Sequence, residues 1–201
     1  DNISIDDNTI GVMFQYPDTY GEIKIPTNLI QDCKQNKSVV SCSTDLLALT
    51  KYVSPGELGV DITYGTAQRF GVPMYYGGPH AAFLACKSEF LRLMPGRIVG
   101  KSIDQTNNEC FRLALQSREQ HIRKEKSISN ICTSQALLAN ISVLYGIYHG
   151  NDGLLKIGNQ IYDLTKKLKN ILDFLNIQVV NDAYFDTLTI YNNYSYKIYQ
   201  D

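Results

Sequence analysis

Gln68-Arg69-Phe70-Gly71-Val72-Pro73-Met74-Tyr75-Tyr76-Gly77-Gly78-Pro79-His80 is the stretch from which the fold is read outward. A strand-like run, Val60-Asp61-Ile62-Thr63-Tyr64, leads into it, and another, Ala81-Ala82-Phe83-Leu84-Ala85-Cys86, leaves it. Between them lies a glycine turn flanked by basic and aromatic groups, of the kind that lets a ligand approach the backbone closely. Arg69 beside the turn has two readings. One is an anion site made of a guanidinium and exposed backbone N–H groups; the other is a tight inter-strand turn in which glycine supplies positive φ. No lysine lies between Lys51 and Lys87.

Upstream, the apolar run Ile10 to Tyr16, closed by Pro17-Asp18, reads as a buried strand followed by a turn. Leu29, Ile30 and Cys33 share a helical face between Asn28 and Lys37, and Val39-Val40-Ser41-Cys42 reads as the next strand. Strands alternating with helices indicate an α/β layer around a largely parallel sheet. Downstream, Ser88 is the expected cap of a short helix from Glu89 to Met94, stopped by Pro95-Gly96. Between Gln135 and Tyr148 apolar residues occupy nearly every face, which predicts a helix buried on most sides and linking to another domain. From Leu154 onward, Ile157, Ile161, Leu164, Leu168, Ile171 and Leu175 form one stripe of a long surface helix. Ile177 to Val180 and Thr187 to Ile190 are expected to be strands of a second, small sheet.

A chain of 201 residues with 44% hydrophobic content can bury a substantial core. Its net charge of −1 argues against a general nucleic-acid binder, which needs a cationic excess to track phosphates. No apolar run approaches the roughly 20 residues of a membrane span, so no membrane partner is expected. Five cysteines, Cys33, Cys42, Cys86, Cys110 and Cys132, show no CxxC or Cys/His ligand spacing. They are expected to be reduced and mostly buried, with no metal site. The start at Asp1 without a methionine, and the stop within a tyrosine-rich run, read as an excerpt of something larger.

Three further features stay open on residues alone. Arg118 to Lys126 carries four cations, two glutamates and a histidine in nine residues. That run is either a solvated, self-paired face or the rim of an active site. His121 within it is a surface group, a proton carrier or a stacking partner for a flat cofactor. Asp45, after the strand and before Leu46-Leu47-Ala48-Leu49, is a helix cap or a buried carboxylate with a cationic partner.

Several runs carry a resemblance in the same order: Thr44 to Leu49, Pro55-Gly56-Glu57, Ala67 to His80, Met94 to Gly100, Arg118 to Thr133, and Tyr148-His149-Gly150. On these, from about Val12 to Ile190, the chain resembles glycine decarboxylase, the P-protein of the glycine cleavage system. The resemblance implies a pyridoxal-phosphate-dependent transferase fold of the aspartate-aminotransferase type (type I), α/β, made as two similar halves, fused or on two subunits. Residues 1–150 would be the C-terminal portion of the large domain and 151–201 the beginning of the small α/β domain. The half that performs chemistry carries the lysine that forms the Schiff base; here Gln68 stands in its place, and an amide cannot form an imine. The implied reaction of the complete enzyme is pyridoxal-phosphate-dependent decarboxylation of glycine, with the aminomethyl group passed to the lipoyl arm of the H-protein. The cofactor would be held mainly by the other half, and Asp45 is implied to be a vestige of the aspartate that pairs with its ring nitrogen. Arg69, Gly77, Gly78, His80, Arg118, His121 and Arg123 are implied to shape the interface with the catalytic half or the approach of the lipoyl arm. An alternative is a non-catalytic scaffold subunit that stabilises a lysine-bearing partner; a third reading is an independent enzyme using Lys51, Lys87 or Lys101. The compartment implied is the mitochondrial matrix or the bacterial cytoplasm. Tyr75 departs from the family, which usually has glycine there; with φ positive, tyrosine would cost about 1 kcal/mol or more.

Overall fold

The computed structural model describes residues 3–94, 97–115, 120–127 and 135–191. The chain divides into two compact units, Asp1–Ala85 with Ala136–Asp201, and Cys86–Gln135. The first unit is built on strands β1 (Gly11–Tyr16), β2 (Val39–Thr44), β3 (Ile62–Thr66) and β4 (Ala82–Cys86), side by side in that order. β1 and β2 run parallel with Phe14 opposite Cys42 and Tyr16 opposite Thr44; β2 and β3 run parallel with Cys42 opposite Thr63. Along β2, Val40, Cys42 and Thr44 point into the core and the alternate residues less so, which is the period of two that the pleat imposes.

Helix α1 (Thr27–Gln35) returns the chain from β1 to β2, burying Ile30 and Cys33 against Tyr16, Val40, Cys42 and Val60. Asp61 completes the crossover by accepting the Val40 N–H at 2.8 Å. Beyond β2 the chain makes a 3₁₀ turn, Ala48–Thr50; Ala48 and the preceding Leu47 form a second core cluster with Phe185.

Helix α3 (Ala136–Phe174) is broken at Gly150, whose φ of 59° and ψ of −171° no helix accommodates. The expectation that its first segment is buried on most sides is overturned. Ser142 is buried and donates to the Ala67 carbonyl at 3.2 Å, and Tyr145 packs on Phe70, yet Leu137, Val143, Leu144, Ile147 and Tyr148 are exposed. A helix apolar all round needs cover on two sides, and only one is supplied among the described residues. The second segment packs through Leu154, Ile157, Ile161 and Tyr162 on the Leu47–Ala48–Phe185 cluster. Gly158 sits against Thr50 where a methyl group has no room. The packed face is offset from the stripe read off the spacing and shares Ile157 and Ile161 with it, while Leu164, Leu168, Ile171 and Leu175 face solvent.

Two local expectations also change. Ser88 does not cap a helix; a 3₁₀ turn spans Ser88–Leu93, Lys87 takes the N-cap position, and no side chain caps it. The proposed strands after α3 reduce to one antiparallel bridge, Val179 with Ile190, flanked by the bonds Val180 N–H to Thr189 O (2.8 Å) and Tyr191 N–H to Gln178 O (3.1 Å). The second unit contains an antiparallel hairpin, β5 (Ile98–Ile103) with β6 (Glu109–Leu115), which the sequence reading did not identify. It also contains the short helix α2 (Gln120–Arg123).

Candidate functional site

The carboxyl ends of β1, β2 and β3 open on one cavity of about 300 Å³, the edge at which open α/β sheets gather ligands. Gln15, Pro17, Asp18, Ser43, Thr44 and Asp45 line it from β1 and β2, and Thr66 and Arg69 from β3. Gly21, Asp186 and Thr187 close it.

Asp45 and Arg69 are brought together although 24 residues separate them. The Asp45 carboxylate pairs with the Arg69 guanidinium and also accepts the Leu47 N–H at 3.1 Å; the paired-carboxylate reading describes it, whereas the cap reading does not, since Leu47 takes the N-cap position of the 3₁₀ turn and no side chain caps it. Burial pushes the Asp45 carboxyl above its ordinary value; the guanidinium and the Leu47 and Ala48 N–H groups oppose that shift without cancelling it. Arg69 reaches a second carboxylate, Asp186, at 2.7 Å, and its guanidinium lies 5.6 Å from the Phe185 ring centre. Phe185 is 1% exposed, and its burial is what delivers Asp186 to the cavity.

The segment 181–189 is fastened to the loop after β1 by several bonds. Asp182 and Ala183 donate N–H groups to the Glu22 carboxylate, both at 3.0 Å, and Asn181 donates to the Tyr20 carbonyl at 2.8 Å. Tyr52 donates its hydroxyl to the Tyr184 carbonyl at 2.6 Å, and burial raises that phenol to about 12. Asp18, which turns the loop, accepts the N–H groups of Tyr20 and Glu22 at 2.8 and 2.9 Å. Sequence reasoning saw Asp18 only as part of a turn, and it missed Asp186 and Thr187 because nothing local marks a residue that arrives from more than a hundred positions away.

Gln68 directly precedes Arg69 and donates its N–H to Thr66 Oγ1 at 3.2 Å. Gly77 and Gly78 both donate N–H groups to the Met74 carbonyl, at 2.7 and 2.8 Å, in a turn where Tyr75, Tyr76 and Gly77 all have positive φ (42°, 56° and 85°). His80 is exposed. Arg118 lies outside the described residues, as does the His121 side chain, while Arg123 is exposed on α2 in the other compact unit. Cys42 is fully buried with its thiol raised to about 12, which removes it as a nucleophile.

The residues present do not fit covalently held pyridoxal phosphate. Among the described residues no lysine lines the cavity, and Asp45 is already taken by the chain's own guanidinium. Three carboxylates (Asp18, Asp45, Asp186) against one guanidinium make the lining anionic, which repels a phosphate ester. Lys51, outside this lining, donates to Asn159 Oδ1 at 3.1 Å and covers the Tyr162 ring. Lys101 pairs with Glu109 at 2.6 Å in the hairpin. Among the described residues, no group of carboxylates, histidines and cysteines could hold a metal, and no helix is long and apolar enough to cross a membrane.

The model of the glycine cleavage system P-protein family matches residues 1–200. The mitochondrial glycine dehydrogenase (decarboxylating) of Gallus gallus is 52% identical over 180 residues, covering 90% of this chain and 18% of that protein. The corresponding protein of Photobacterium profundum is 49% identical over 183 residues, 91% of this chain and 19% of its own length. The chain thus spans about a fifth of the length of these relatives. Among solved structures, glycine decarboxylase (P-protein) of the glycine cleavage system, in inhibitor-bound form, superposes with a TM-score of 0.83 at 31% identity, over 90% of this chain and 42% of that one. The aspartate aminotransferase of Thermus thermophilus, at 16% identity and a TM-score of 0.57 over 94% of this chain and 50% of its own, shares the fold alone. The α/β fold expected from the sequence is therefore the one these neighbours have, and the chain belongs to the glycine cleavage system P-protein family.

Proposed function

We propose that this chain is the non-anchoring half of a glycine decarboxylase, a piece of an enzyme that decarboxylates glycine and passes the aminomethyl group to the lipoyl arm of the H-protein. Pyridoxal phosphate, held mainly by a lysine-bearing half, supplies the electron sink for that reaction. The observation that carries this reading is the amide of Gln68 where a lysine would be needed, next to an Arg69 that neutralises Asp45 from within the chain. In this reading Asp45 is a vestige of a ring-nitrogen partner, turned to structural use. The turn at Gly77, Gly78 and His80 and the segment holding Arg118, His121 and Arg123 serve the interface or the lipoyl approach, while Arg69 braces its own half. Residues 1–150 belong to the large domain of the complete protein and 151–201 open its small domain. The proposed compartment, mitochondrial matrix or bacterial cytoplasm, follows relatives of both origins.

The exposed apolar side of α3 favours a second reading of the same chain as a separate scaffold subunit, since such a surface suits permanent cover by a partner. Both readings meet one experiment. The purified chain is expected to show no shift in pyridoxal-phosphate absorbance and no glycine–bicarbonate exchange, and exchange is expected to appear when a lysine-bearing half is co-expressed. Exchange by the chain alone defeats both, and borohydride trapping with peptide mapping then shows whether Lys51, Lys87 or Lys101 is responsible.

A further inference from the structure

The hairpin β5–β6 has its faces the wrong way round for a surface left in water. Its register sets Val99 opposite Leu113, Lys101 opposite Phe111 and Ile103 opposite Glu109, so these six share one face. On that face Val99, Ile103, Phe111 and Leu113 are 59%, 66%, 77% and 45% exposed. The opposite face carries Gly100, Ser102 and Cys110, small residues that are partly covered, and the exposed, charged Arg112 opposite Gly100. A two-stranded ribbon is marginal in water without something packed on its apolar side.

The ribbon is nonetheless well formed at its tip. Asp104 Oδ1 accepts the N–H groups of Thr106 and Asn108 and the Thr106 hydroxyl, each at 2.8 Å, and Asp104 N–H donates to the Asn108 carbonyl at 2.9 Å. These bonds, the Asn108 N–H first, hold the Asp104 carboxyl below its ordinary value. A tip fixed this way presents the face pre-organised, which lowers the entropy lost on docking.

We propose that the Val99–Ile103–Phe111–Leu113 face of the hairpin is a docking surface for the lysine-bearing half of the complete enzyme. The charges on the face cancel, because Lys101 pairs with Glu109 across it, leaving apolar contact as its main currency. Large apolar faces of this kind belong to long-lived assemblies, whereas a carrier that must leave after every turnover suits a more polar patch. The matched stretch is only 18% of the length of the Gallus gallus relative, so ample further protein is at hand to supply the cover. This inference rests on the pairing with a lysine-bearing half proposed above.

The test replaces Phe111 by the photoreactive p-benzoylphenylalanine in the chain co-expressed with a lysine-bearing P-protein half, with lipoylated H-protein present. After irradiation, peptide mapping is expected to find the adduct on the lysine-bearing half. If the two halves co-elute but the adduct falls within this chain, on a second copy or on the H-protein, or does not form, the docking surface is overturned while pairing stands. If the halves never co-elute, pairing itself fails and the hairpin proposal falls with it. As a second measurement, the double substitution Val99→Ser and Phe111→Ser is expected to weaken pairing at least about tenfold with an unchanged circular dichroism spectrum. Undiminished pairing by that folded variant also overturns the proposal.

Discussion

Arg69 holds two carboxylates, and the physics of one of them sets a pH dependence. Burial raises the Asp45 carboxyl above its ordinary 3.8 even with Arg69 beside it. A carboxyl raised in the folded state binds its proton more tightly there than in the unfolded chain. It therefore favours folding most below its ordinary pKa, and that contribution is lost as pH climbs through the raised one. Without Arg69 the carboxyl rises further. Arg69→Met is accordingly expected to destabilise by about 2 kcal/mol at about pH 7, a partly exposed pair being worth less than a buried one, and by clearly less at about pH 4. Urea unfolding at both values checks this, and an equal penalty at both contradicts it. Tyr75 offers a second residue-scale test, since its φ of 42° confirms the left-handed geometry that a glycine in its place would accept without strain. Tyr75→Gly is expected to stabilise the chain by about 1 kcal/mol, seen as a higher denaturation midpoint. The left-handed turn was legible because glycine and its absence are local signals; the Arg69–Asp186 contact was not, because no spacing rule links positions 117 apart.

At the scale of elements, period predicts the existence of a helix better than it predicts which side is covered. The apolar stripe Ile157, Ile161, Leu164, Leu168, Ile171 and Leu175 is where an amphipathic reading puts the core; the structure packs its first two members and leaves the other four in solvent. The side that packs is chosen by Gly158, which alone lets the helix approach Thr50, and by Phe185 arriving from beyond the helix. Phe185→Ala is therefore expected to cost about 3–4 kcal/mol and Leu168→Ala no more than about 0.5 kcal/mol, measured by chemical denaturation of the isolated chain. Reversal of that order would mean that the stripe, not the offset face, is the packed one. Strands β1 to β4 were readable because short β-branched and apolar runs bounded by turns have few other uses. The β5–β6 hairpin was not, since Lys101, Ser102, Glu109 and Arg112 interrupt its apolar alternation.

For the whole molecule, the uncovered surfaces carry the consequence. Leu137, Leu144, Ile147 and Tyr148 on the first segment of α3, and Leu164, Leu168, Ile171 and Phe174 on the second, are exposed in numbers unusual for a chain that stands alone. The purified chain is expected to bind an apolar fluorescent dye at about neutral pH while keeping its cooperative unfolding, and to lose that binding when a lysine-bearing half is added. Persistent dye binding in the complex would place the partner elsewhere. The sequence by itself determined the parallel β-α-β order, the family, and the amide at position 68, because strand and turn signals are local and an absent amine needs no geometry to be noticed. Only the tertiary structure decided that Asp45 and Asp186 are both spent on Arg69, which side of α3 packs, and which face of the hairpin stays open. Those outcomes depend on which distant segments compete for the same buried volume, and that competition is settled by packing, not by order along the chain.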